Sequence, residues 1–172
     1  MDFSMECVNP SELLLSSLDK YYACDDRFGT VEKILRNEGI SLRSLDWFVT
    51  NYAKKNNVTF KMDDGRMFNV FLEYKAQLKS FSKRFFDPFC RGDRLEYRGL
   101  NTTVGQLNFF RWSLKNGVVD FCTDHAAEIE DDMMESVRRR RVSDPGDKRR
   151  ELSKAAIKRC MATTTRVTIR FE

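Results

Sequence analysis

The residues whose types and spacing suit a chemical role are basic ones near the end of the chain. Ten lysines and arginines lie within the 22 positions from 138 to 159. Such side chains neutralise phosphates and release the counterions condensed on nucleic acid, which gives tight and largely sequence-independent binding. The pattern therefore predicts a phosphate-binding segment, the basic arm. Its predicted contact residues are Arg138, Arg139, Arg140, Arg141, Lys148, Arg149, Arg150, Lys154, Lys158 and Arg159.

Two elements are expected to present this basic arm. Residues 138–148 hold four consecutive arginines and a Pro-Gly turn, which predicts an exposed basic loop. A basic helix is predicted to follow, from about residue 147 to residue 160. On it Arg150, Lys154 and Lys158 fall at positions i, i+4 and i+8, which makes a one-sided basic ridge.

A second basic set, between residues 75 and 98, is expected to extend the cationic surface. The alternative for both sets is a solvated surface, or one paired with the acidic residues 120–132. The members of the second set are Lys75, Lys79, Lys83, Arg84, Arg91, Arg94 and Arg98.

The net charge of +4 conceals four segments of alternating sign. Residues 1–30 carry a net charge of −4, residues 31–119 carry +7, residues 120–132 carry −6 and residues 133–172 carry +7. This alternation predicts either internal pairing or two faces of opposite sign.

The basic arm also matches two regulatory patterns. Its two basic clusters, separated by residues 142–147, resemble a bipartite nuclear-import signal. Ser143 follows Arg140 and Arg141 at the spacing that basophilic kinases use. A phosphate there would add about −1.5 to −2 charge beside the arginines and weaken their contact with an anion.

Catalysis has little support in the sequence, and no enzyme is predicted. Cys122 and His125 lie three residues apart and are the one candidate nucleophile and base, but a cysteine beside Phe121 is also typical of a core. The five cysteines are scattered and the single histidine has no cysteine pair near it, so no metal or other cofactor is expected.

Aromatic residues alternate with basic ones in two stretches, residues 81–91 and 109–112. Such rings can stack the bases of a single strand. At helical spacing, however, they pack more often in a core, and the core interpretation is favoured here.

Hydrophobic periodicity and capping signals predict a mostly helical chain. Ser41 or Ser44 is expected to cap a helix, and Thr103 with Gln106 to form a capping box for another. The predicted helices cover residues 12–23, 30–38, a stretch after 41 or 44, 70–85, a stretch from 103 to 116, 123–137 and 147–160.

Strand signals are few. Residues 58–62 and a partner beginning at Arg66 flank an Asp-Asp-Gly turn. Residues 94–98 form another candidate strand, and residues 163–171 alternate apolar with polar side chains. The predicted fold is therefore α+β: a mostly helical single domain of residues 1–172 with a small antiparallel sheet. Residues 1–40 are set apart as an N-terminal helical extension.

Three segments of the chain resemble a known family. They are residues 74–91, residues 102–112 and the end of the chain, residues 166–171. They are similar to small uncharacterised proteins of giant double-stranded DNA viruses of protists, of the marseillevirus and mimivirus kind. The resemblance covers roughly residues 41–172 and brings no catalytic residues with it. It implies a viral protein made in the host cytoplasm or viral factory, with the virion as a further location. The import-like pattern in the basic arm makes the host nucleus another expected location.

The expected function is therefore that of a non-enzymatic, DNA-associated viral protein whose basic arm binds phosphates. The alternative is an oligomeric structural or interaction protein of the virion, in which residues 163–171 pair with another copy of the chain. No apolar run approaches the roughly 20 residues that span a bilayer, so no membrane partner is expected.

Overall fold

The structure, a computed structural model, describes residues 9–23 and 25–143. Over these residues the chain is mostly helical, with short antiparallel strands, and the predicted α+β class is confirmed. Of the described residues, those up to 134 group into one compact unit and residues 135–143 belong to a second. Among the described helices, none combines the length and the apolar character needed to span a bilayer.

The described helices and strands follow one another in a simple order. A π-helical segment, Phe48–Tyr52, joins two of the helices without a break. The helices are α1 (Pro10–Tyr21), α2 (Asp25–Leu35), α3 (Leu42–Trp47), α4 (Ala53–Lys55), α5 (Val70–Phe85), α6 (Val104–Lys115), α7 (Val118–Asp124) and α8 (Ala126–Ser143). The strands are β1 (Thr59–Lys61), β2 (Met67–Asn69), β3 (Arg94–Tyr97) and β4 (Leu100–Thr103).

Side-chain caps explain where several helices begin. An oxygen of each cap accepts an otherwise unpaired backbone N–H of the first turn, which typically contributes about 1 kcal/mol. Ser41, rather than Ser44, is the cap of α3, because its hydroxyl accepts the Ser44 N–H. The other capping side chains are Asn9 on α1, Asn69 on α5 and Thr103 on α6.

The strands form two separate hairpins instead of sharing one sheet. In the first, β1 pairs with β2 and places Phe60 opposite Phe68, as the sequence predicts for residues 58–68. In the second, β3 pairs with β4 across Arg98 and Gly99, whose φ angles of 50° and 82° suit a two-residue hairpin turn. The predicted strand at residues 163–171 lies outside the described residues.

The start of α2 and the end of α8 differ most from the prediction, and α7 precedes the predicted helix 123–137 as a separate helix. Helix α2 begins at Asp25, not at about residue 30. It passes through Gly29, where an added Cβ atom would have no neighbouring atom within 4 Å. Helix α8 continues to Ser143, so residues 138–143 are helical where a loop was expected. Arginine is a good helix former, and Arg139 pairs one turn back with Glu135. Residues 144–148, the rest of the expected loop, lie outside the described residues.

Helix α6 is the centre of the core, since nine of its twelve residues are buried. Phe109 and Trp112 on this helix lie 5.5 and 5.6 Å from the Phe86 ring, measured between centroids. Rings at these distances add to the burial of apolar area. The core interpretation is therefore confirmed for Phe86, Phe109, Phe110 and Trp112.

The first turns of α6 also hold the chain that leaves α5. Gln106 donates from Nε2 to the Pro88 carbonyl at 2.7 Å, and Asn108 donates from Nδ2 to the Phe85 carbonyl at 2.8 Å. The Asp87 N–H donates to the Gly105 carbonyl at 3.2 Å. We call these contacts between residues 85–88 and α6 the polar clamp.

The expected capping box forms only in part. Thr103 Oγ1 accepts the Gln106 N–H at 3.1 Å, as predicted. The Gln106 side chain, however, does not turn back to the Thr103 backbone. Its oxygen accepts a hydrogen bond from the Thr102 hydroxyl, and its nitrogen donates to the Pro88 carbonyl as part of the clamp. A side chain that the sequence assigns to local capping therefore makes a long-range contact.

Gly105→Ala is expected to destabilise the protein. Its Cβ would lie 2.9 Å from the Arg84 carbonyl oxygen and 3.3 Å from the Phe86 nitrogen, and neither backbone atom can move without disturbing the clamp. We expect the free energy of unfolding to fall by about 1–3 kcal/mol, measured by urea denaturation. Gly29→Ala is the control: it lies in open space inside α2, and should raise stability by up to about 1 kcal/mol. Equal effects of the two variants would contradict the close packing.

Candidate nucleic-acid interface

Every member of the second basic set predicted from the sequence is exposed in the structure. The set lies on α5, on the segment after it and on β3 with its turn, and we call it the α5–β3 basic surface. Its members are Lys75, Lys79, Lys83, Arg84, Arg91, Arg94 and Arg98.

The backbone of α5 divides this surface in two. Lys75 and Lys79 lie one turn apart on the regular part of the helix. Ser82 then interrupts the helix with φ 57° and ψ 171°, a conformation that costs a non-glycine residue of order 1–3 kcal/mol. Lys83 and Arg84 follow this break directly. The polar clamp begins at the next residue, and it fixes the direction in which the chain leaves α5.

Four of the seven cations have no anionic partner within the described part of the chain. No side-chain hydrogen bond or ion pair with a described residue involves Lys75, Lys79, Lys83 or Arg94, although their backbones belong to α5 and β3. Arg84 approaches Asp93 at 3.4 Å, and both side chains are well exposed. Exposed pairs of this kind contribute little, about 0–1 kcal/mol, and yield easily to another anion.

Arg91 has a structural role instead. Its Nε and terminal nitrogen donate to the two carboxylate oxygens of Asp87 at 2.8 and 2.6 Å. Asp87 is buried, and its hydrogen bonds raise the pKa of Arg91 above its ordinary value. The fork holds the residues after the clamp in place, so Arg91 is less available to a phosphate than its neighbours.

Three acidic side chains of the segment 120–132 are already used inside the first unit. Glu130 accepts the Ser44 hydroxyl at 3.1 Å, and Glu128 accepts the Tyr52 hydroxyl at 3.1 Å. Asp132 accepts the Trp47 indole N–H at 3.0 Å and pairs with Lys55. These carboxylates attach the start of α8 to the helical segment 42–55, and among these contacts only the pair of Lys55 with Asp132 joins opposite charges.

The basic arm is described only at its beginning. Arg138 and Arg139 are exposed on α8, and Arg139 pairs with Glu135. Arg140 and Arg141 belong to the same helix. The other predicted contact residues lie outside the described residues, namely Lys148, Arg149, Arg150, Lys154, Lys158 and Arg159.

Cys122 belongs to the core, and His125 is half-buried against the Phe121 ring. Cys122 is buried, and desolvation together with the nearby Glu130 raises the pKa of its thiol to about 12. The His125 ring stacks on Phe121 with 4.0 Å between centroids, and its Nδ1 lies 3.0 Å from the Phe121 carbonyl oxygen. A neutral, buried thiol is a poor nucleophile, so this pair does not supply one. Within the described residues, no three His, Cys, Asp or Glu side chains are grouped to hold a metal ion.

Comparison with known proteins shows the family to which the chain belongs. The chain belongs to DUF7197, a family of unknown function whose model matches residues 9–157. The family match begins at residue 9. Most of residues 1–40, which were expected to form a separate N-terminal extension, therefore lie within the region that the family model covers.

A relative of known origin supports this assignment. The chain is 35% identical over 164 residues to an uncharacterized protein of Acanthamoeba polyphaga mimivirus. The alignment covers 86% of this chain and 63% of that protein, so the chain spans less than two thirds of its relative's length. The giant-virus resemblance predicted from the sequence is confirmed. No solved structure matches the chain.

Cys122 is expected to resist alkylation in the folded protein. Because its raised pKa keeps the thiol protonated at pH 8, and because its side chain is buried, iodoacetamide should modify it only after unfolding. Peptide mass mapping after native and denaturing alkylation measures this directly. Cys90, which is only half-buried, is the internal comparison. Rapid native modification of Cys122 at a rate above that of Cys90 would mean that the site is open and reactive.

Proposed function

We propose that this protein binds nucleic acid, with DNA as the first expectation, and does so without catalysing a reaction. The α5–β3 basic surface and the basic arm each contact phosphates in this proposal. The observation that carries it is the set of exposed cations Lys75, Lys79, Lys83 and Arg94, which have no anionic partner among the described residues.

The state of these cations favours phosphate as their partner. Binding a phosphate breaks no ion pair with a described residue at these four positions, so no such pair offsets the gain from the release of counterions. Three of the four are lysines, which act as flexible point charges and do not provide the planar fork that recognises a particular base edge. The surface therefore suits binding to the backbone of a nucleic acid with little sequence preference.

Four carboxylates near the basic segments are already held by other side chains, which strengthens the same argument. Asp87 is occupied by Arg91, while Glu128, Glu130 and Asp132 are occupied by side chains of residues 44–55. Acids that are fixed in this way do not compete with a phosphate for the exposed lysines. At Lys75, Lys79, Lys83 and Arg94, the charge pattern that allowed either internal neutralisation or a free cationic face is therefore better explained by a free face.

The similarity to a mimivirus protein suggests a setting for this proposal. A protein of a giant double-stranded DNA virus that binds DNA would act in the host cytoplasm or viral factory, with the host nucleus and the virion as further locations. The alternative, an oligomeric virion protein that does not bind nucleic acid, depends on residues 163–171, which lie outside the described residues. It is therefore treated as an outcome of the test.

Salt-dependent binding tests the proposal. Fluorescence anisotropy with labelled duplex and single-stranded DNA should show an affinity whose logarithm falls linearly with the logarithm of salt concentration. A Lys75→Gln, Lys79→Gln, Lys83→Gln variant should bind more weakly at low salt. On duplex DNA, the variant's slope of log affinity against log salt concentration should be shallower by about 0.9 for each phosphate that it no longer neutralises. The same comparison with Arg138 to Arg141 replaced by alanine measures the basic arm.

A matched control separates location from total charge. Lys20, Lys33 and Lys115 are also exposed, but lie on α1, α2 and the end of α6. Replacing all three by glutamine changes the net charge by the same amount and should leave the slope nearly unchanged. Absence of binding by the wild-type chain at low salt would refute the proposed function. Light scattering would then establish whether the protein is an oligomer.

A further inference from the structure

A small cavity opens beside the α5–β3 basic surface. It lies where α1, the end of α5, β3 and the start of α6 meet, and its volume is about 210 Å³. Its lining is mainly apolar, with Leu15, Phe85, Leu95 and Val104 contributing side chains from these four elements. The polar clamp fixes one wall, because the Phe85 carbonyl is held by Asn108 and Gly105 packs against the backbone of residues 84–86.

The size of the cavity limits what it can accept. Sites that enclose a whole small molecule usually measure about 300–1,000 Å³, so this cavity suits one part of a larger ligand. Its mainly apolar lining favours a weakly polar group. Phe85 is one of the lining residues, and the Arg84 guanidinium lies over its ring with 5.4 Å between the guanidinium carbon and the ring centroid.

Charged residues of both signs line the cavity. Arg84 and Arg94 line it, but so do the carboxylates of Glu12 and Asp93. A phosphate inside the cavity would meet both carboxylates, whereas a neutral base tolerates them because its N–H groups can donate to them. Phosphates are better placed outside, on Arg94 and on the lysines that precede the cavity along α5.

We infer that this cavity receives one unstacked base of a single-stranded nucleic acid, whose flanking phosphates lie on the α5–β3 basic surface. The inference rests on the proposed function and narrows it to a substrate class. Proteins that bind single strands combine a cationic path for the backbone with aromatic rings on which bases stack. In a duplex the bases are stacked and paired, and their release costs a few kcal/mol, so a duplex gains contacts with the basic surface alone.

Phe85→Leu tests the inference, because it removes the aromatic ring and keeps the apolar side chain. Anisotropy is measured with a fluorescein-labelled, mixed-sequence DNA strand and with the duplex formed from it. The wild type should bind the single strand more tightly than the duplex. The variant should bind the single strand about tenfold more weakly and the duplex with almost unchanged affinity.

Phe89→Leu is the matched control. Phe89 is also half-buried and also carries an arginine over its ring, Arg91 at 5.2 Å from the centroid, but it does not line the cavity. Its replacement should change neither affinity. Thermal unfolding confirms that each variant is folded. If Phe85→Leu does not fold, Leu15→Trp fills the cavity from α1 and should reduce single-strand binding in the same way.

The outcomes separate this inference from the proposed function. If single strand and duplex bind equally and Phe85→Leu changes neither, the cavity does not receive a base, although nucleic-acid binding stands. The inference is equally overturned if both Phe85→Leu and Phe89→Leu weaken single-strand binding to the same extent. If neither DNA form binds the wild type, the proposed function fails together with the inference.

Discussion

The hydrogen bonds of Gln106 and Asn108 are the interactions on which the rest of the described structure depends. Both residues are buried on α6, among phenylalanines and a tryptophan. A buried amide without a partner costs about 1–3 kcal/mol, so the core can include these two only if other groups satisfy them. The carbonyls of Pro88 and Phe85 accept from the two side-chain nitrogens, while Thr102 and Arg111 donate to the two side-chain oxygens. The segment that leaves α5 is thereby fixed against the core, and with it Lys83, Arg84 and the wall of the cavity.

Much of the fold follows from local signals that act over a few residues. Helices α5 and α6 have nearly the limits that the sequence predicts, because Asn69 and Thr103 cap them and apolar residues recur at helical spacing. The first hairpin follows from its Asp-Asp-Gly turn. Strand β4 is not predictable in this way, because residues 100–103 lack alternation and directly precede a cap, so their pairing with β3 is a tertiary effect. The prediction of a loop at residues 138–143 is wrong because it gives charge more weight than the helix propensity of arginine.

The candidate site is only partly predictable from the sequence. Composition alone identifies the lysines and arginines of residues 75–98, and their exposure agrees with that expectation. Which of them are free is not predictable, because the pairing of Arg91 with Asp87 depends on where the clamp holds the chain. The cavity is not predictable at all, since its walls come from four elements up to about ninety residues apart. Gln106 carries the signal of a cap, and no sequence signal points to its contact with Pro88 eighteen residues away.

Mapping the bound surface tests the central claim most directly, that the cations positioned by the clamp form a nucleic-acid interface. The full chain, labelled with ¹⁵N, would be titrated with a short single-stranded DNA at low salt, and its amide resonances followed. The account predicts that shifts among residues 9–134 concentrate at residues 75–98 and at the cavity walls, including Leu15 and Val104, while α2 is unaffected. Shifts that leave residues 75–98 unchanged, whether they occur elsewhere or nowhere, would contradict it.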